Sequence, residues 1–386
     1  MDLILTLNTG SSSVKFSVYE HADEPVLRLE GQIENLGPEA RLIAKGKRRQ
    51  TSDLGPVDHN GALAVVLRTV GSELGQGRVV GVGHRIVHGG TAFFAPVVLD
   101  ADVLERLSAL NDLAPLHQPY NLATVDTARG LFPDAVQVGC FDTAFHHGHP
   151  WVNDTFALPR QFYDEGVRRY GFHGLSYEYI TGTLKKQYPA LHKSRVVVAH
   201  LGNGASMCAI RGGRSIGSTM GFSALDGLPM GTRCGQVDPG VILYLIRKGF
   251  TEAEITHILY KESGLKGLSG ITHDMRTLLA SEVPEARMAI DYYVFRIRRE
   301  LGAMAAVLGG LDALVFCGGV GENAAEIRAR VVDGMAFLGL SLDSKANEEN
   351  AREIGAGEVR ILVIPTDEER VLARAVATEL CKRRSE

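Results

Sequence analysis

Arg85 and Arg233 lie at bends among glycines and small residues, in His84-Arg85-Ile86-Val87-His88-Gly89-Gly90 and Gly231-Thr232-Arg233-Cys234-Gly235. An arginine so placed can turn its planar fork toward a phosphoryl group or a carboxylate, which arginines on helix surfaces seldom do. The competing reading is a structural salt bridge that holds each loop. A carboxylate and an imidazole accompany them: Asp142 follows a strand in Phe141-Asp142-Thr143-Ala144-Phe145-His146, and His173 sits in Tyr170-Gly171-Phe172-His173-Gly174. Both are candidates for a cleft.

Three glycine turns add a second kind of chemistry. The first, Asn8-Thr9-Gly10-Ser11-Ser12-Ser13, joins two apolar strands; Gly10 allows positive φ and close backbone approach, the serines offer hydroxyls and amides to phosphate oxygens, and Lys15 adds a point charge. Read alone, it is equally an ordinary serine-rich hairpin. The second, His200-Leu201-Gly202-Asn203-Gly204, follows an apolar strand and projects amides from a sheet edge, where ligands of α/β proteins bind; the alternative is a hairpin in which Asn203 and Gly204 take positive φ. The third, Cys317 to Asn323, lies between a strand and a helix expected to begin near Ala324. Gly319 to Ala324 spells G-x-G-x-x-A, but a dinucleotide fold places that pattern on its first strand, and here it comes late in the chain. Glycines close to an adenosine or a phosphate explain the same residues. No glycine-rich lysine P-loop occurs. His146, His147 and His149 lack a convincing fourth ligand and read as a solvated loop, and His84 and His88 sit four apart on a strand and a glycine turn, poorly placed for a metal.

The elements that must position these groups are strands alternating with helices. Strand-like runs recur at Arg78 to Val82, Ala135 to Val138, Val196 to Ala199, Ala313 to Phe316 and Ile361 to Ile364. The clearest helix runs from about Pro284 to Leu308, with Met288, Tyr292, Phe295, Ile297, Leu301, Met304 and Leu308 expected as its apolar face and Gly309-Gly310 as its stop. This alternation predicts an α/β fold. Gly204 and Ser206 echo Gly10 and Ser12, so a strand-turn-strand unit is expected twice, in two domains. The chain has 386 residues, 45% of them hydrophobic, enough for two cores. A net charge of −4 and a pI near 6.4 exclude a basic field for nucleic acid or an anionic membrane. The apolar start is cut by Thr6 and Asn8, so no signal peptide or membrane span is expected, and five cysteines without paired spacing suit reduced thiols in the cytoplasm.

Taken in order, LNTGSSSVKF, HRIVHGG, LAPLHQPYN, FDTAFH, RRYGFHGLSY, HLGNGAS, GLPMGTRCGQVDPG, FCGGVGEN and IPTDEE closely resemble the acetokinase family, over nearly the whole chain. The resemblance implies the actin, sugar kinase and heat-shock ATPase superfamily, with two duplicated actin-like, ribonuclease H-like domains closing over ATP: 1–145 plus 374–386, and 146–373. It implies reversible transfer of the γ-phosphoryl group of ATP to acetate, giving acetyl phosphate and ADP. By the same resemblance Asn8 and Glu368 hold magnesium, or manganese; Ser11, Ser13 and Lys15 lie near the phosphates; Arg85 meets the substrate; and His173 and Arg233 stabilise the transferring group. Asp142 is the family's catalytic carboxylate and His117 a further cleft residue. Val87, Leu116 and Phe172 line the acyl pocket, with Ala224 at its wall. His200, Leu201, Gly202, Asn203 and Gly204, then Asp274, Met275 and Arg276, then Gly319, Val320, Gly321, Glu322 and Asn323 match the nucleotide-binding segments. Relatives form homodimers through the second domain.

A carboxylate with a pKa of about 4 to 5 is already ionised at neutral pH and needs no general base. Transfer to it demands alignment and charge neutralisation, which puts Asp142 in an orienting role and favours direct in-line transfer without a phosphoenzyme. The chain departs from the family pattern at Ser223-Ala224-Leu225-Asp226, where Thr-Pro-Leu-Glu is usual, at Gln236 and Asp367, where Asp and Asn are usual, and at Leu175-Ser176-Tyr177, where Thr-Ser-His is usual. Propionate and butyrate are the alternative acceptors, and a non-catalytic ATP-binding switch of the same superfamily is the alternative of another class.

Overall fold

The computed structural model describes residues 1–10, 13–75, 77–115 and 117–385. The chain divides into two compact units, Met1–Phe145 with Asp367–Glu386, and His146–Thr366. The return to the first unit thus comes earlier than residue 374.

In the first unit the strands are β1 (Asp2–Thr9), β2 (Val14–Glu20), β3 (Val26–Glu34), β4 (Gly37–Lys45), β5 (Arg49–Val57), β6 (Arg78–Ile86), β7 (Val97–Val98) and β8 (Val136–Phe141). They form one sheet in the order β5-β4-β3-β2-β1-β6-β8-β7. β1 pairs antiparallel with β2 and parallel with β6, and β6 pairs parallel with β8. The parallel steps need crossovers, supplied by helices His59–Leu74 and Gln118–Leu131. Residues 21–75, plain in sequence, are thus three strands and a helix that widen the sheet.

The second unit repeats the pattern with β9 (Arg195–Leu201), β10 (Ala205–Arg211), β11 (Arg214–Ser218), β12 (Ala313–Cys317) and β13 (Arg360–Val363), ordered β11-β10-β9-β12-β13. β9 pairs antiparallel with β10 and parallel with β12, which is parallel to β13. The sequence echo therefore falls on the β1–β2 and β9–β10 hairpins, the same place in two sheets of like order.

β9 and β12 are buried on both faces apart from their ends, hence their unbroken apolar runs. The helix Pro284–Leu308 has the expected limits, and Ile297, Leu301, Met304 and Leu308 are buried as expected, but Met288, Tyr292 and Phe295 are not. Ala286, Ala289, Ile290, Tyr293, Ile297, Leu301, Ala305 and Leu308 face inward, whereas Met288 and Phe295 are 67% and 61% exposed. Ala286, Ala289 and Ala305 let the helix sit close to its sheet between the larger buried side chains of Ile290, Tyr293, Ile297, Leu301, Met304 and Leu308. After β13 the chain leaves the second unit, and helix Glu368–Ser385 packs on β6, β8 and β1 of the first. Gly81 and Gly83 make that approach possible: a Cβ at Gly81 would lie 2.4 Å from Val376 Cγ1, and one at Gly83 3.1 Å from Leu372 Cβ.

Candidate functional site

In the first unit the end of β1, the end of β6, the residue after β8 and the start of the last helix converge. Asp142, 1% exposed in its side chain, is gripped by Arg85: Nε donates to Oδ1 and Oδ2 at 3.1 Å each, and Nη2 to Oδ2 at 2.6 Å. Arg85 Nη1 donates to Asn8 Oδ1 at 2.9 Å, and Asn8 Nδ2 donates in turn to Glu368 Oε2 at 3.0 Å and Glu369 Oε1 at 3.2 Å. Burial opposes the charge on Arg85, but Asp142, Glu368 and Glu369 more than offset it and hold the guanidinium protonated. Burial pushes the Asp142 carboxyl up, Arg85 pulls it back, and Glu368 adds to the rise. Glu369 is raised by burial and by Glu368, and lowered by Lys15.

This acidic group is where a cation fits. Oxygen donors from Asn8 and Glu368, with Glu369 alongside, are the ligand type a hard divalent ion takes, and the mutual repulsion of the two glutamates is what such an ion relieves. Lys15 pairs with Asn8 across the hairpin and is exposed. The turn between them closes with Gly10 N–H donating to Ser13 O at 2.8 Å, and Gly10 does not take the positive φ expected of it. Ser11 and Leu116 lie outside the described residues. Val87 is buried, its N–H donating to Asn121 Oδ1 at 3.0 Å, while Asn121 Nδ2 donates to Thr9 O at 2.9 Å; Gln118 braces His88 through both backbone groups. His117 stands immediately before their helix, partly exposed.

In the second unit Gly204 is the meeting point. A Cβ there would lie 2.8 Å from Arg233 Nη2 and 3.0 Å from His173 Nε2, so only glycine admits both side chains to the β9–β10 turn. Neither Asn203 nor Gly204 takes the positive φ of a tight hairpin; Gly202 N–H donates to Gly204 O at 2.9 Å instead. His173 holds a left-handed backbone (φ 57°), stacks on His200 with centroids 4.3 Å apart, and has Nδ1 2.8 Å from Ser206 Oγ, which also meets the Tyr177 hydroxyl at 2.5 Å. Ser176 Oγ holds His200 Nδ1 at 2.8 Å. Arg233 Nη1 donates to Ala224 O at 2.8 Å, so Ala224 acts on the arginine through its carbonyl. Leu201 is buried.

The third glycine segment is a helix, Gly318–Asn323, starting directly at the end of β12, with a break at Ala324 before helix Ala325–Val332. Gly319 is exposed and Val320 partly so, while Gly321 is buried. Glu322 is spent on structure: Oε1 accepts from the Gly318 and Thr366 amides at 2.8 and 3.1 Å. Asn323 Nδ2 donates to Gly319 O at 2.9 Å. Asp274 caps the helix Met275–Leu279 and pairs at 2.9 Å with Arg276, whose side chain is 92% exposed; Met275 is core.

Two histidine expectations are corrected or sharpened. His146 is buried rather than solvated: Nδ1 meets Ser215 Oγ and Nε2 meets Phe172 O, both at 2.9 Å, and burial pulls its pKa down to about 3. Its short helical turn, Ala144–His146, carries it into the second unit's core, whereas His147 stays exposed. His84 and His88 are buried with pKa lowered to about 4, neutral core imidazoles. Phe172 is likewise buried. Among the described residues no cluster of three or more His, Cys, Asp or Glu side chains is arranged to hold a metal by itself, and no helix is long and apolar enough to cross a membrane. Sequence reasoning gave no site role to Glu369, Ser206 or Tyr177; the IPTDEE, HLGNGAS and RRYGFHGLSY segments contain all three, but nothing in a segment says which neighbour turns inward.

The acetokinase family model matches residues 3–374. The acetate kinase of Methylocella silvestris is 53% identical over 96% of both chains, and that of Nitrobacter hamburgensis 50% identical over 100% of this chain and 98% of its own. Among solved structures, a propionate kinase from Francisella tularensis superposes with a TM-score of 0.89 at 35% identity, covering 97% of this chain and 99% of its own. The acetate kinase of Porphyromonas gingivalis gives 0.85 at 36%, covering 98% and 100%.

Proposed function

Because this chain belongs to the acetokinase family, with its duplicated actin-like fold, we propose that it catalyses reversible transfer of the γ-phosphoryl group of ATP to acetate. An acetate oxygen attacks the γ-phosphorus as the bond to the β,γ-bridging oxygen breaks, leaving acetyl phosphate and ADP. The observation that carries this reading is the convergence of Arg233 and His173 on the glycine turn at Gly204. Donors fixed by the fold at a phosphate turn match the charge that builds on a transferring phosphoryl group.

In this reading Arg85 orients the acceptor carboxylate, and Asp142 holds Arg85 rather than taking a proton. Ser11, Ser13, Lys15 and His200 to Gly204 attend the phosphates; Asp274 to Arg276 and Gly319 to Asn323 attend the nucleoside, Met275, Gly321 and Glu322 by shaping backbone. Val87, Leu116, His117, Phe172 and Ala224 attend the acyl group. Asn8 and Glu368 would hold magnesium or manganese, which neutralises phosphate charge when bound. The proposal extends to a cytoplasmic enzyme and to a homodimer. Helix Pro239–Arg247 supports the latter: it has no buried residue, and Val241, Leu243, Tyr244 and Ile246 are each 45–55% exposed.

The test is formation of acyl hydroxamate from ATP, magnesium, hydroxylamine and a series of acids. Acetate giving the highest kcat/KM supports the proposal; no product from any acid overturns it. The likeness to a propionate kinase structure makes propionate the second reading, and one methylene is discriminated by only about 1–3 kcal/mol in an apolar pocket. Isotope-chiral ATP tests the in-line step, with inversion at phosphorus expected.

A further inference from the structure

The loop that carries Arg233 is closed at its neck by one buried arginine on another element. Arg296, 4% exposed, projects from helix Pro284–Leu308. Its Nη2 donates both to Gly227 O at 3.2 Å and to Gln236 Oε1 at 3.1 Å, while Gln236 N–H donates to the same Gly227 carbonyl at 3.0 Å. The two ends of segment 227–236 are thereby clasped together. Arg299 of the same helix also donates to Gln236 Oε1. The Glu300 carboxylate stands 4.0 Å from Arg296 and pairs more closely, at 2.6 Å, with Arg299.

Within the clasp the loop is tied in sequence. Met230 N–H donates to Arg233 O at 3.0 Å, Gly231 N–H to Asn203 O at 3.0 Å, and Leu265 N–H to Met230 O at 2.8 Å. The neck is thus anchored on the longest helix and the tip on the β9–β10 turn, with Arg233 between them. A guanidinium buried only to balance charge would sit in contact with a carboxylate, because desolvating a cation is costly unless it is paired. Arg296 instead turns Nη2 to a carbonyl and a neutral amide that belong to the two ends of one loop, while Nη1 donates to the Tyr292 hydroxyl of its own helix at 3.0 Å.

We infer that Arg296 and Gln236 are positioning residues for Arg233, fixing its guanidinium against Gly204 by clasping the neck of the 227–236 loop. The inference rests on the reading that Arg233 meets the transferring phosphoryl group. A misplaced but still present Arg233 costs transition-state stabilisation more than substrate binding.

The experiment is a double-mutant cycle in the hydroxamate assay, with folding followed by calorimetry. Gln236→Ala and Arg296→Lys are each expected to lower kcat about tenfold, with KM for ATP and acetate held within about twofold, and to lower the residual rate of Arg233→Ala by less than about twofold. If Arg233→Ala turns over too slowly, the same cycle is read from inhibition by aluminium fluoride with ADP and acetate, a planar phosphoryl mimic. Should Arg296→Lys fail to fold, Gln236→Ala carries the test, since that side chain lies at the surface. Equal loss in both backgrounds, a change confined to KM, or a wild-type kcat in Gln236→Ala overturns the clasp while leaving the functional reading intact. An inactive wild-type enzyme overturns both.

Discussion

Arg85 has a double allegiance, to Asp142 through a two-pronged contact and to the Asn8 amide through its remaining arm. Arg233 Nη1 donates to the Ala224 carbonyl. Both cations are expected to be indispensable: Arg85→Ala and Arg233→Ala should each lower kcat/KM on the order of a thousandfold, about 4 kcal/mol, in the hydroxamate assay. Near-normal activity of either would remove it from the mechanism. Asp142→Asn gives a different expectation, because an acetate oxygen needs no base. Turnover should fall as Arg85 loses its anchor, but the shape of the kcat–pH profile between pH 6 and 9 should stay that of the wild type; loss of a titration in the variant would assign Asp142 a proton-transfer role.

The β9–β10 turn works through its neighbours rather than through a positive φ of its own. Gly204 is glycine because Arg233 and His173 occupy the space a Cβ would take. Gly204→Ala is therefore expected to lower kcat at least about tenfold while circular dichroism and the melting midpoint change little, since the strands on either side need no rearrangement. A variant with full activity would show that the two side chains have room to spare. The segment 317–323 read as a turn in sequence because glycines rarely open a helix unaided. In the structure the Glu322 carboxylate takes the Gly318 amide, so a side chain four residues on supplies the missing acceptor.

At the scale of the whole molecule, buried neutral histidines tie stability to pH. The pKa values of His84, His88 and His146 fall to about 4, 4 and 3 in the folded protein, all through burial, against about 6.5 in an unfolded chain. Between those limits the unfolded state binds more protons, so their contribution is complete above about pH 6.5 and is lost as pH falls toward 4. At pH 5 each costs about 2 kcal/mol. The melting midpoint should drop steeply from pH 7 to 5, and His84→Gln should flatten that slope; an unchanged slope would mean that His84 is accessible to protons in the native state. Helix Pro239–Arg247 leads to a separate expectation. Leu243→Glu with Tyr244→Lys should shift sedimentation toward the monomer without loss of folded structure, and unchanged sedimentation would move any dimer surface elsewhere.

The duplicated sheet, the three glycine segments and Arg85, Asp142, His173 and Arg233 were all legible as residues, because strand runs alternate regularly and because an arginine among glycines can turn its fork inward, to a ligand or, as Arg85 does, to a carboxylate. The resemblance then carried the family and its chemistry. The buried face of helix Pro284–Leu308 was legible in its second half, at Ile297, Leu301, Met304 and Leu308, but not in its first, where Met288 and Phe295 lie outward and Ala286, Ala289, Ile290 and Tyr293 inward. Nor was His146 legible as a core residue, since its partners Ser215 and Phe172 O are far along the chain. Local propensity and pattern are properties of a segment. Burial, the spending of Glu322 on two amides, the recruitment of Glu369 beside Asn8 and the Arg296 clasp depend on contacts between distant segments, and those exist only once the chain has folded.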